Sequence, residues 1–163
     1  MQEAHFTIRP VSPEDNQRLA EIIRGIFIEY SAEKKGTVYS DPTTDHLYEL
    51  FQVKKSALWL VELKGEIMGC CGIFPTEGLN PNCVELVKYY IHSKGRGLGL
   101  GKALMEKCLA SAKNLGFSEV YIESLPEFKE AVRIYQRQGF EELAQPLTDF
   151  GHPGCTLWFL KSL

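Results

Sequence analysis

The segment from residue 84 to residue 115 restricts the fold most, because a strand pattern there runs through a glycine-rich loop directly into a helix pattern. Val84 to Ile91 predicts a strand. Beyond the loop, apolar residues recur at helical spacing on one face, at Leu100, Leu104, Cys108, Ala112 and Leu115. Gly116 follows as a typical helix C-cap. The segment therefore predicts a sheet with at least one helix packed on it.

The rest of the chain alternates between strand and helix patterns. Further strands are predicted over residues 6–10, 57–63, 67–74, 120–123, 140–144 and 156–160. Further helices are predicted from Ser12, a typical N-cap before Pro13, to Tyr30, over residues 45–53, and from Pro126 to Gly139. This order predicts an α/β (mixed α+β) fold in which helices cover a mixed sheet. Because the chain has 163 residues and no repeats, low-complexity tracts or linkers, residues 1–163 are expected to form one domain.

Composition argues against several classes of protein. A formal net charge of −3 argues against a nucleic-acid-binding domain, which normally carries a basic excess on one face. A membrane span is not expected, because the sequence holds nothing near a run of about 18 apolar residues. The first ten residues, MQEAHFTIRP, lack the basic-then-apolar pattern of a signal peptide, so a cytoplasmic location is expected.

The five cysteines are an odd number with one adjacent pair, Cys70 and Cys71, and no C-x-x-C spacing. This arrangement fits neither a disulfide framework nor a zinc site. Cys70, Cys71 and Cys108 lie in apolar runs and are expected to be small buried residues. No metal site is predicted.

The alternating glycines of the loop, flanked by basic residues, indicate a phosphate site, and two nucleotide templates can be tested by counting positions. A P-loop needs Gly, four residues, then Gly-Lys-Ser/Thr. Here Arg96 stands at the first glycine position before Gly101-Lys102, and Ala103 replaces the hydroxyl residue that would bind Mg²⁺. The dinucleotide fingerprint needs a third glycine where Leu100 or Lys102 stands. Both templates are excluded.

A third template, Gln/Arg-x-x-Gly-x-Gly/Ala between a strand and a helix, is matched by Arg96-Gly97-Leu98-Gly99-Leu100-Gly101. Here the sequence resembles the GNAT superfamily of N-acetyltransferases, whose coenzyme A loop has this form. The first N–H groups of a helix have no internal partner and attract a pyrophosphate. Glycines let the backbone approach its oxygens, and Arg96 and Lys102 add positive charge at the rim. A glycine turn before an ordinary helix is the alternative.

The resemblance spans nearly the whole chain and implies a GNAT-like fold. That fold has a twisted, mostly antiparallel sheet whose fourth and fifth strands are parallel and splayed, with helices on both faces. It also implies acetyl-CoA as co-substrate, with no metal. The backbone of Tyr89, Tyr90 and Ile91 would lie beside the pantetheine arm, and an N–H there would stabilise the oxyanion.

The pattern Ala131-x-x-x-Tyr135-x-x-x-Gly139-Phe140 resembles the second signature helix of the family. This implies that the Tyr135 hydroxyl protonates the departing thiolate. A tyrosine that only packs under the sheet is the alternative. Phe128 stands where the family often has an asparagine, so a polar contact to the cofactor is not expected at that position.

Glu85 lies eleven residues before Arg96, an offset at which protein-lysine-acetylating members of the family carry a general base. The base has a real task, because an alkyl amine with a pKa of about 10.4 is ~99.9% protonated at neutral pH, equivalent to roughly 4 kcal/mol. Strand alternation would put Glu85 on one face with Val87, Tyr89 and Ile91, an apolar setting that would raise its pKa. A carboxylate paired with a lysine, or bonding the substrate ammonium, is the alternative.

Three further residues are candidates for contact with the acceptor. His152 lies in the Gly/Pro turn Gly151-His152-Pro153-Gly154, in the loop before the last strand, which overhangs the acceptor pocket in the family. It is a candidate base or substrate contact, or a solvent-facing loop residue. Tyr30 and Tyr39 flank the first long loop and could line the same pocket or serve only as packing aromatics.

These expectations combine into a GNAT-like N-acetyltransferase that moves an acetyl group from acetyl-CoA to a primary amine by direct attack in a ternary complex. The acceptor is a small-molecule amine or a protein amine, and the protein is a monomer or a homodimer. Two alternatives stay open: a non-catalytic acyl-CoA-binding module or sensor, and a transferase for another acyl-CoA. Neither a nucleic-acid nor a membrane partner is expected.

Overall fold

Seven strands form one sheet in the computed structural model, which describes residues 4–163. The strands are β1 (Phe6–Pro10), β2 (Ala57–Leu63), β3 (Glu66–Phe74), β4 (Cys83–Ile91), β5 (Glu119–Ser124), β6 (Glu141–Leu143) and β7 (Leu157–Ser162). All seven lie where the sequence patterns predict them, with ends shifted by one or two residues.

The order of the strands across the sheet is β1-β2-β3-β4-β5-β7-β6. Every pair of neighbours is antiparallel except β4 and β5, which confirms the expected mixed sheet. The parallel pair is joined only where Cys83–Glu85 faces Glu119–Tyr121. Since β4 continues for six more residues without β5 beside it, the two strands separate and open a gap in the sheet.

Four helices cover both faces of the sheet: α1 (Asn16–Glu29), α2 (Leu47–Leu50), α3 (Leu100–Asn114) and α4 (Lys129–Arg137). Leu19 and Ile23 of α1 and Leu47 of α2 pack into the hydrophobic core on one face. Leu104 of α3 and Tyr135 of α4 pack into the core on the other. The GNAT-like expectation of helices on both faces is therefore confirmed.

The start of α1 is tied to the first strand by a buried carboxylate. Asp15 accepts hydrogen bonds from the Ser12 backbone N–H (2.7 Å) and from both terminal nitrogens of Arg9 (2.8 and 2.9 Å). Ser12 and Pro13 thus begin a short 3₁₀ turn, as the N-cap pattern predicts, and α1 follows it.

Two helix predictions need correction at their boundaries. The helix expected over residues 45–53 is only the single turn α2, because the backbone at His46 (φ −135°, ψ 46°) is not helical. The helix expected to open at Pro126 begins instead at Lys129. Phe128 stays outside it because its ring packs among Phe27, Tyr30 and Tyr90.

A bulge in β4 overturns the expected alternation of that strand. Cys70 pairs with Tyr90 and Gly72 pairs with Val87, so the two residues between 87 and 90 face one residue of β3. Lys88 lies in the bulge with a left-handed backbone (φ +57°), which is uncommon for a residue with a side chain. Val87 and Tyr90 therefore pack on the α1 face, whereas Tyr89 packs on the α3 face.

The fold also bears on the cysteines, on membrane spans and on metal sites. The expectation for cysteines is confirmed, since Cys70, Cys71 and Cys108 are fully buried. Within residues 4–163, no helix has the length and apolar character that crossing a membrane requires. Over the same residues, no group of three or more His, Cys, Asp or Glu side chains is arranged to hold a metal ion.

Candidate active site

The glycine loop ends in an open helix N-terminus. Gly97 (φ +75°) and Gly99 (φ +80°) have left-handed backbones, and a methyl group added to either would meet no atom within 4 Å. The first intrahelical bond of α3 runs from the Ala103 N–H to the Gly99 carbonyl, so the N–H groups of the preceding residues have no partner inside the helix. This main chain can hold an anion without side-chain help.

The loop borders a cleft of about 370 Å³, which we call the glycine cleft. Its walls are formed by the loop, the end of β4, α1 and α4: Ile26, Tyr30, Tyr89, Tyr90, Ile91, Gly95, Arg96, Gly97, Gly99, Leu100, Gly101, Lys102, Phe128, Glu130, Ala131, Ile134 and Arg137. The predicted cofactor-binding residues are thus brought together with one exception. Leu98 is 42% exposed and does not line the cleft.

The two basic residues at the rim differ. Arg96 is fastened in place: its Nη2 lies 2.9 Å from Glu29 Oε1, its Nε donates to the Ile91 carbonyl (3.0 Å), and its guanidinium lies over the Tyr30 ring. Lys102 is largely exposed. Because the Glu29 carboxylate partly neutralises the charge of Arg96, the rim of the glycine cleft is less positive than the sequence pattern indicates.

Tyr89 brings an unpartnered polar group into the glycine cleft. Its hydroxyl is buried and has no hydrogen-bond partner among residues 4–163. A methyl group on Gly101 would lie 2.7 Å from that oxygen, so the glycine makes room for the tyrosine at the start of α3. A buried hydroxyl without a partner is costly, and a ligand in the cleft can supply the partner.

A second pocket, which we call the inner pocket, shares Tyr89, Tyr90, Phe128 and Ala131 with the glycine cleft. It lies where β4 and β5 separate. Its polar lining comes from distant parts of the chain: Thr37, Glu85, Lys88, Glu123, Ser124, Tyr135, His152 and Cys155. The fold thus brings together the predicted residues Glu85, Tyr135 and His152.

Glu85 is buried at the inner pocket, 5% exposed. Burial, helped by the nearby charge of Glu123, raises the pKa of its carboxyl to about 7. The Thr76 hydroxyl, which donates to Glu85 Oε1 (2.6 Å), opposes this rise. A carboxyl with such a pKa can accept a proton near neutral pH.

Tyr135 is both a core residue and a lining residue of the inner pocket. Its ring packs against Phe159 (5.5 Å between centroids) and Phe140 (6.1 Å), as expected of a tyrosine under the sheet. Burial raises the pKa of its hydroxyl, and the nearby Ser124 side chain opposes the rise. The hydroxyl therefore keeps its proton at neutral pH and can donate it.

His152 is anchored by two contacts. Its Nε2 lies 2.9 Å from Asp41 Oδ2, and its backbone N–H donates to Glu123 Oε1 (2.9 Å). The last loop therefore closes over the inner pocket, against the loop that follows α1. The two tyrosines lie elsewhere: Tyr30 lines the glycine cleft, and Tyr39 packs on Phe27 and lines neither pocket.

Among the residues of the inner-pocket region that the sequence analysis missed are Asp41, Thr76, Lys88 and Glu123. Lys88 and Glu123 carried a signal, because each is a charged residue inside an apolar strand pattern. Asp41 and Thr76 lie in loops and carried none.

The comparisons with known proteins agree with this site. The family model described as "Acetyltransferase (GNAT) family" matches residues 19–140. YjgM of Escherichia coli, an uncharacterized N-acetyltransferase, is 34% identical over 157 residues, covering 96% of this chain and 94% of its own length.

Two solved structures share the fold. An acetyltransferase of the GNAT family from Staphylococcus aureus Mu50 superposes with a TM-score of 0.84 at 18% identity, covering 97% of this chain and 99% of its own. The structure of yncA from Salmonella typhimurium, which contains its cofactor acetyl-CoA, has a TM-score of 0.76 at 19% identity and covers 97% and 94%. With the open helix N-terminus and the two adjoining pockets, these matches establish that the chain belongs to the GNAT family and is an acyl-CoA-dependent acetyltransferase.

Proposed function

We propose that the protein transfers the acetyl group of acetyl-CoA to a primary amine by direct attack in a ternary complex. The observation that carries this proposal is the junction of the two pockets at Tyr89, Tyr90, Phe128 and Ala131. One pocket is built from main chain that suits a pyrophosphate. The other holds a buried carboxyl poised to accept a proton.

The glycine cleft fits acetyl-CoA. The backbone from Gly97 to Lys102 would hold the pyrophosphate at the α3 N-terminus, and the unpartnered Tyr89 hydroxyl would gain an acceptor. The exposed edge of β4 at Tyr89, Tyr90 and Ile91 is free of β5 and would hold the pantetheine arm. When bound, the coenzyme supplies an acetyl group activated as a thioester.

Glu85 would remove the proton that keeps an amine from attacking. An alkyl ammonium must lose its proton first, at a cost of roughly 4 kcal/mol at neutral pH. The carboxyl pKa of about 7 lets Glu85 accept that proton while remaining largely ionised at slightly alkaline pH. The carboxylates of Asp41 and Glu123 nearby would attract the cationic amine before it reacts.

Tyr135 would supply the proton that the departing sulfur needs. Burial keeps its hydroxyl protonated, and the hydroxyl would donate to the sulfur as negative charge develops there. Its place in the inner pocket, next to the shared residues Tyr89 and Ala131, puts the hydroxyl near the junction of the pockets.

A thiol-release assay with a panel of amines tests the proposal. Acetyl-CoA and succinyl-CoA are each offered with amino acids, polyamines and lysine-containing peptides, and the acetylated product is identified by mass. We expect thiol release that depends on both acetyl-CoA and an amine. Acetyl-CoA should also raise the melting temperature, and equal stabilisation by ATP or NAD would contradict the assignment of the glycine cleft.

A further inference from the structure

Lys88 is a buried lysine of the inner pocket for which the proposed chemistry has no task. It is 6% exposed and lines the pocket from the β4 bulge. Within residues 4–163, its Nζ has no hydrogen-bond acceptor within 3.5 Å and no carboxylate oxygen within 4.0 Å. Burial lowers the pKa of Lys88, and the charges of Asp41 and Glu85 oppose this change, so an anionic ligand in the pocket would favour the ammonium form.

The bulge is the reason why Lys88 reaches this pocket. In a regular strand, residues 85 and 88 would face opposite sides of the sheet. The extra residue of the bulge brings Lys88 to the face that carries Glu85, and the opposite charges of the two side chains influence each other's pKa. A left-handed backbone on a residue with a side chain costs on the order of 1–3 kcal/mol, and such strain is often kept for function.

The carboxylates of the inner-pocket region already have other donors. Glu85 accepts from Thr76, Asp41 accepts from Thr43 and lies against His152, and Glu123 accepts from the Tyr121 hydroxyl and the His152 N–H. Cys70 and Cys155 are further titratable neighbours of Lys88, and burial raises the pKa of both thiols, so they stay neutral. Lys88 is thus the cation in this group that has no partner of its own.

Glu85 and Lys88 offer opposite charges to the same inner pocket. Both side chains line it, and the charge of each influences the pKa of the other. In an α-amino acid the amine and the carboxylate are attached to the same carbon atom, so one small molecule carries both of the complementary charges.

Building on the proposed function, we propose that the acceptor is an α-amino acid whose carboxylate binds the Lys88 ammonium while its amine faces Glu85. The inner pocket has a volume of about 50 Å³, and its apolar wall, formed by Phe27, Val38 and Leu125, would contact a small side chain. A carboxylate on Lys88 would hold the amine in one orientation, which speeds attack on the thioester.

The reaction balances with groups already described. The ammonium gives one proton to Glu85, and the amine nitrogen bonds to the acetyl carbon as the carbon–sulfur bond breaks. The thiolate takes a proton from the Tyr135 hydroxyl. The amine nitrogen gives up a second proton, which restores that hydroxyl. One proton leaves Glu85 to solvent, and the carboxylate on Lys88 is unchanged.

Matched pairs of amines that differ only by the carboxylate test this inference. The pairs are glycine and methylamine, L-leucine and 3-methylbutylamine, L-phenylalanine and phenethylamine, and L-lysine and 1,5-diaminopentane. For each pair, the ratio of kcat/KM is measured in the wild type and in Lys88→Met. The intrinsic basicity of each amine is the same with both enzymes, so the quotient of the two ratios isolates Lys88.

We expect the preference for the carboxylate to fall roughly 10- to 100-fold in Lys88→Met for the pair that reacts fastest, as for loss of a charge-assisted hydrogen bond. Lys88→Arg, which keeps the charge, should retain most of the preference. The acetyl-CoA dissociation constant should change little, since Lys88 does not line the glycine cleft. An unchanged ratio in Lys88→Met would overturn the inference.

Further outcomes distinguish a failure of this inference from a failure of the proposed function. If only the decarboxylated amines or peptide amines are acetylated, the proposed function stands and the amino-acid inference fails. If Lys88→Met does not fold, the wild type is tested with L-leucine and L-leucinamide, and a preference for the amide would reject the inference. If no amine releases thiol, the proposed function fails. The role of Lys88 is then decided by binding: L-leucine should raise the melting temperature of the CoA-bound wild type but not that of CoA-bound Lys88→Met.

Discussion

The glycine cleft and the inner pocket adjoin, yet they are built in opposite ways. The glycine loop that borders the cleft is one continuous stretch, Gly95–Lys102, and it ends in the main-chain N–H groups of the α3 N-terminus. The inner pocket is made from side chains that come from separate segments, among them Glu85, Tyr135 and His152. A site built from contiguous backbone depends on local geometry, whereas a site built from scattered side chains depends on how the whole chain packs.

This difference divides the expected effects of substitution. Changes in the inner pocket should alter the chemical step, because its carboxyl and hydroxyl groups have protons to move. Changes in the glycine cleft should alter coenzyme affinity and leave the chemical step nearly intact. Substitutions in each region test whether effects on the chemical step and effects on coenzyme affinity separate in this way.

Glu85→Gln should have the largest effect, a fall in kcat/KM of roughly 10²- to 10⁴-fold, as for loss of a general base. Wild-type activity should rise with pH through an apparent pKa of about 7 as Glu85 ionises. The glutamine variant should lack that limb of the pH–rate profile. Steady-state thiol release across the neutral range measures both effects.

Thr76→Val provides the matched control for that profile. The Thr76 hydroxyl donates to the Glu85 carboxylate and so favours its charged form. Removing it should move the limb to higher pH while most of the activity at alkaline pH remains. A limb that persists unchanged in Glu85→Gln would assign it to another group.

Tyr135→Phe should lower kcat by roughly 10²-fold, as for loss of a general acid, and leave the coenzyme dissociation constant nearly unchanged. The matched variant is Tyr89→Phe, which removes a hydroxyl that lies in the glycine cleft. That variant should weaken coenzyme binding by a factor of about 2 to 10, with a small effect on kcat. If both variants change the same parameter, the division between the regions fails.

Glu85→Gln should also stabilise the folded protein at neutral and higher pH. The Glu85 pKa is raised from 4.5 to about 7, so between these values the folded state keeps a proton that the unfolded chain has released. Wild-type stability therefore falls as pH rises through this window and is level above it. The variant should gain on the order of 3 kcal/mol above neutral pH, at 1.36 kcal/mol for each pKa unit, and nothing below the ordinary value.

Denaturant unfolding of wild type and variant on both sides of that window measures the difference in the free energy of unfolding. The same difference at both pH values would mean that the raised pKa is not the cause. A gain in stability together with the loss of activity would show that the protein keeps a costly buried carboxyl for its chemistry.

Gly99→Ala should lower coenzyme affinity by about tenfold and leave the chemical step nearly intact. Its left-handed backbone (φ +80°) strains any residue with a side chain, by roughly 1–2 kcal/mol, although no neighbouring atom would clash. Isothermal titration with acetyl-CoA measures the loss.

Gly25→Ala is the matched control, because Gly25 lies exposed inside α1 with nothing within 4 Å. Alanine is the better helix former by about 1 kcal/mol, so this variant should be more stable and bind the coenzyme as the wild type does. Equal losses of affinity in both glycine variants would mean that the loop conformation is not what holds the coenzyme.

The two regions also differ in how far the sequence predicts them. The strands and the glycine loop follow from local periodicity and from spacing within a few residues, so they were predicted nearly to their ends. The start of α4 was not, because the Phe128 ring is drawn into an aromatic cluster with Phe27 and Tyr30, about 100 residues earlier in the chain.

The β4 bulge was also hidden from the sequence. Its register depends on how β3 pairs with β4, and nothing within Val87-Lys88-Tyr89 signals an extra residue. The bulge moves Tyr89 to the α3 face and brings Lys88 to the inner pocket. The proximity of His152 and Asp41, 111 residues apart, has the same origin in tertiary packing.

The sequence by itself determined the mixed sheet, the helix that follows the glycine loop and the family to which the chain belongs, because each rests on residues that are neighbours in the chain. Only the tertiary structure decided which side chains share the inner pocket and how their protons are held. The pKa of Glu85 depends on burial by segments that the chain brings from far away, and no local pattern records that burial.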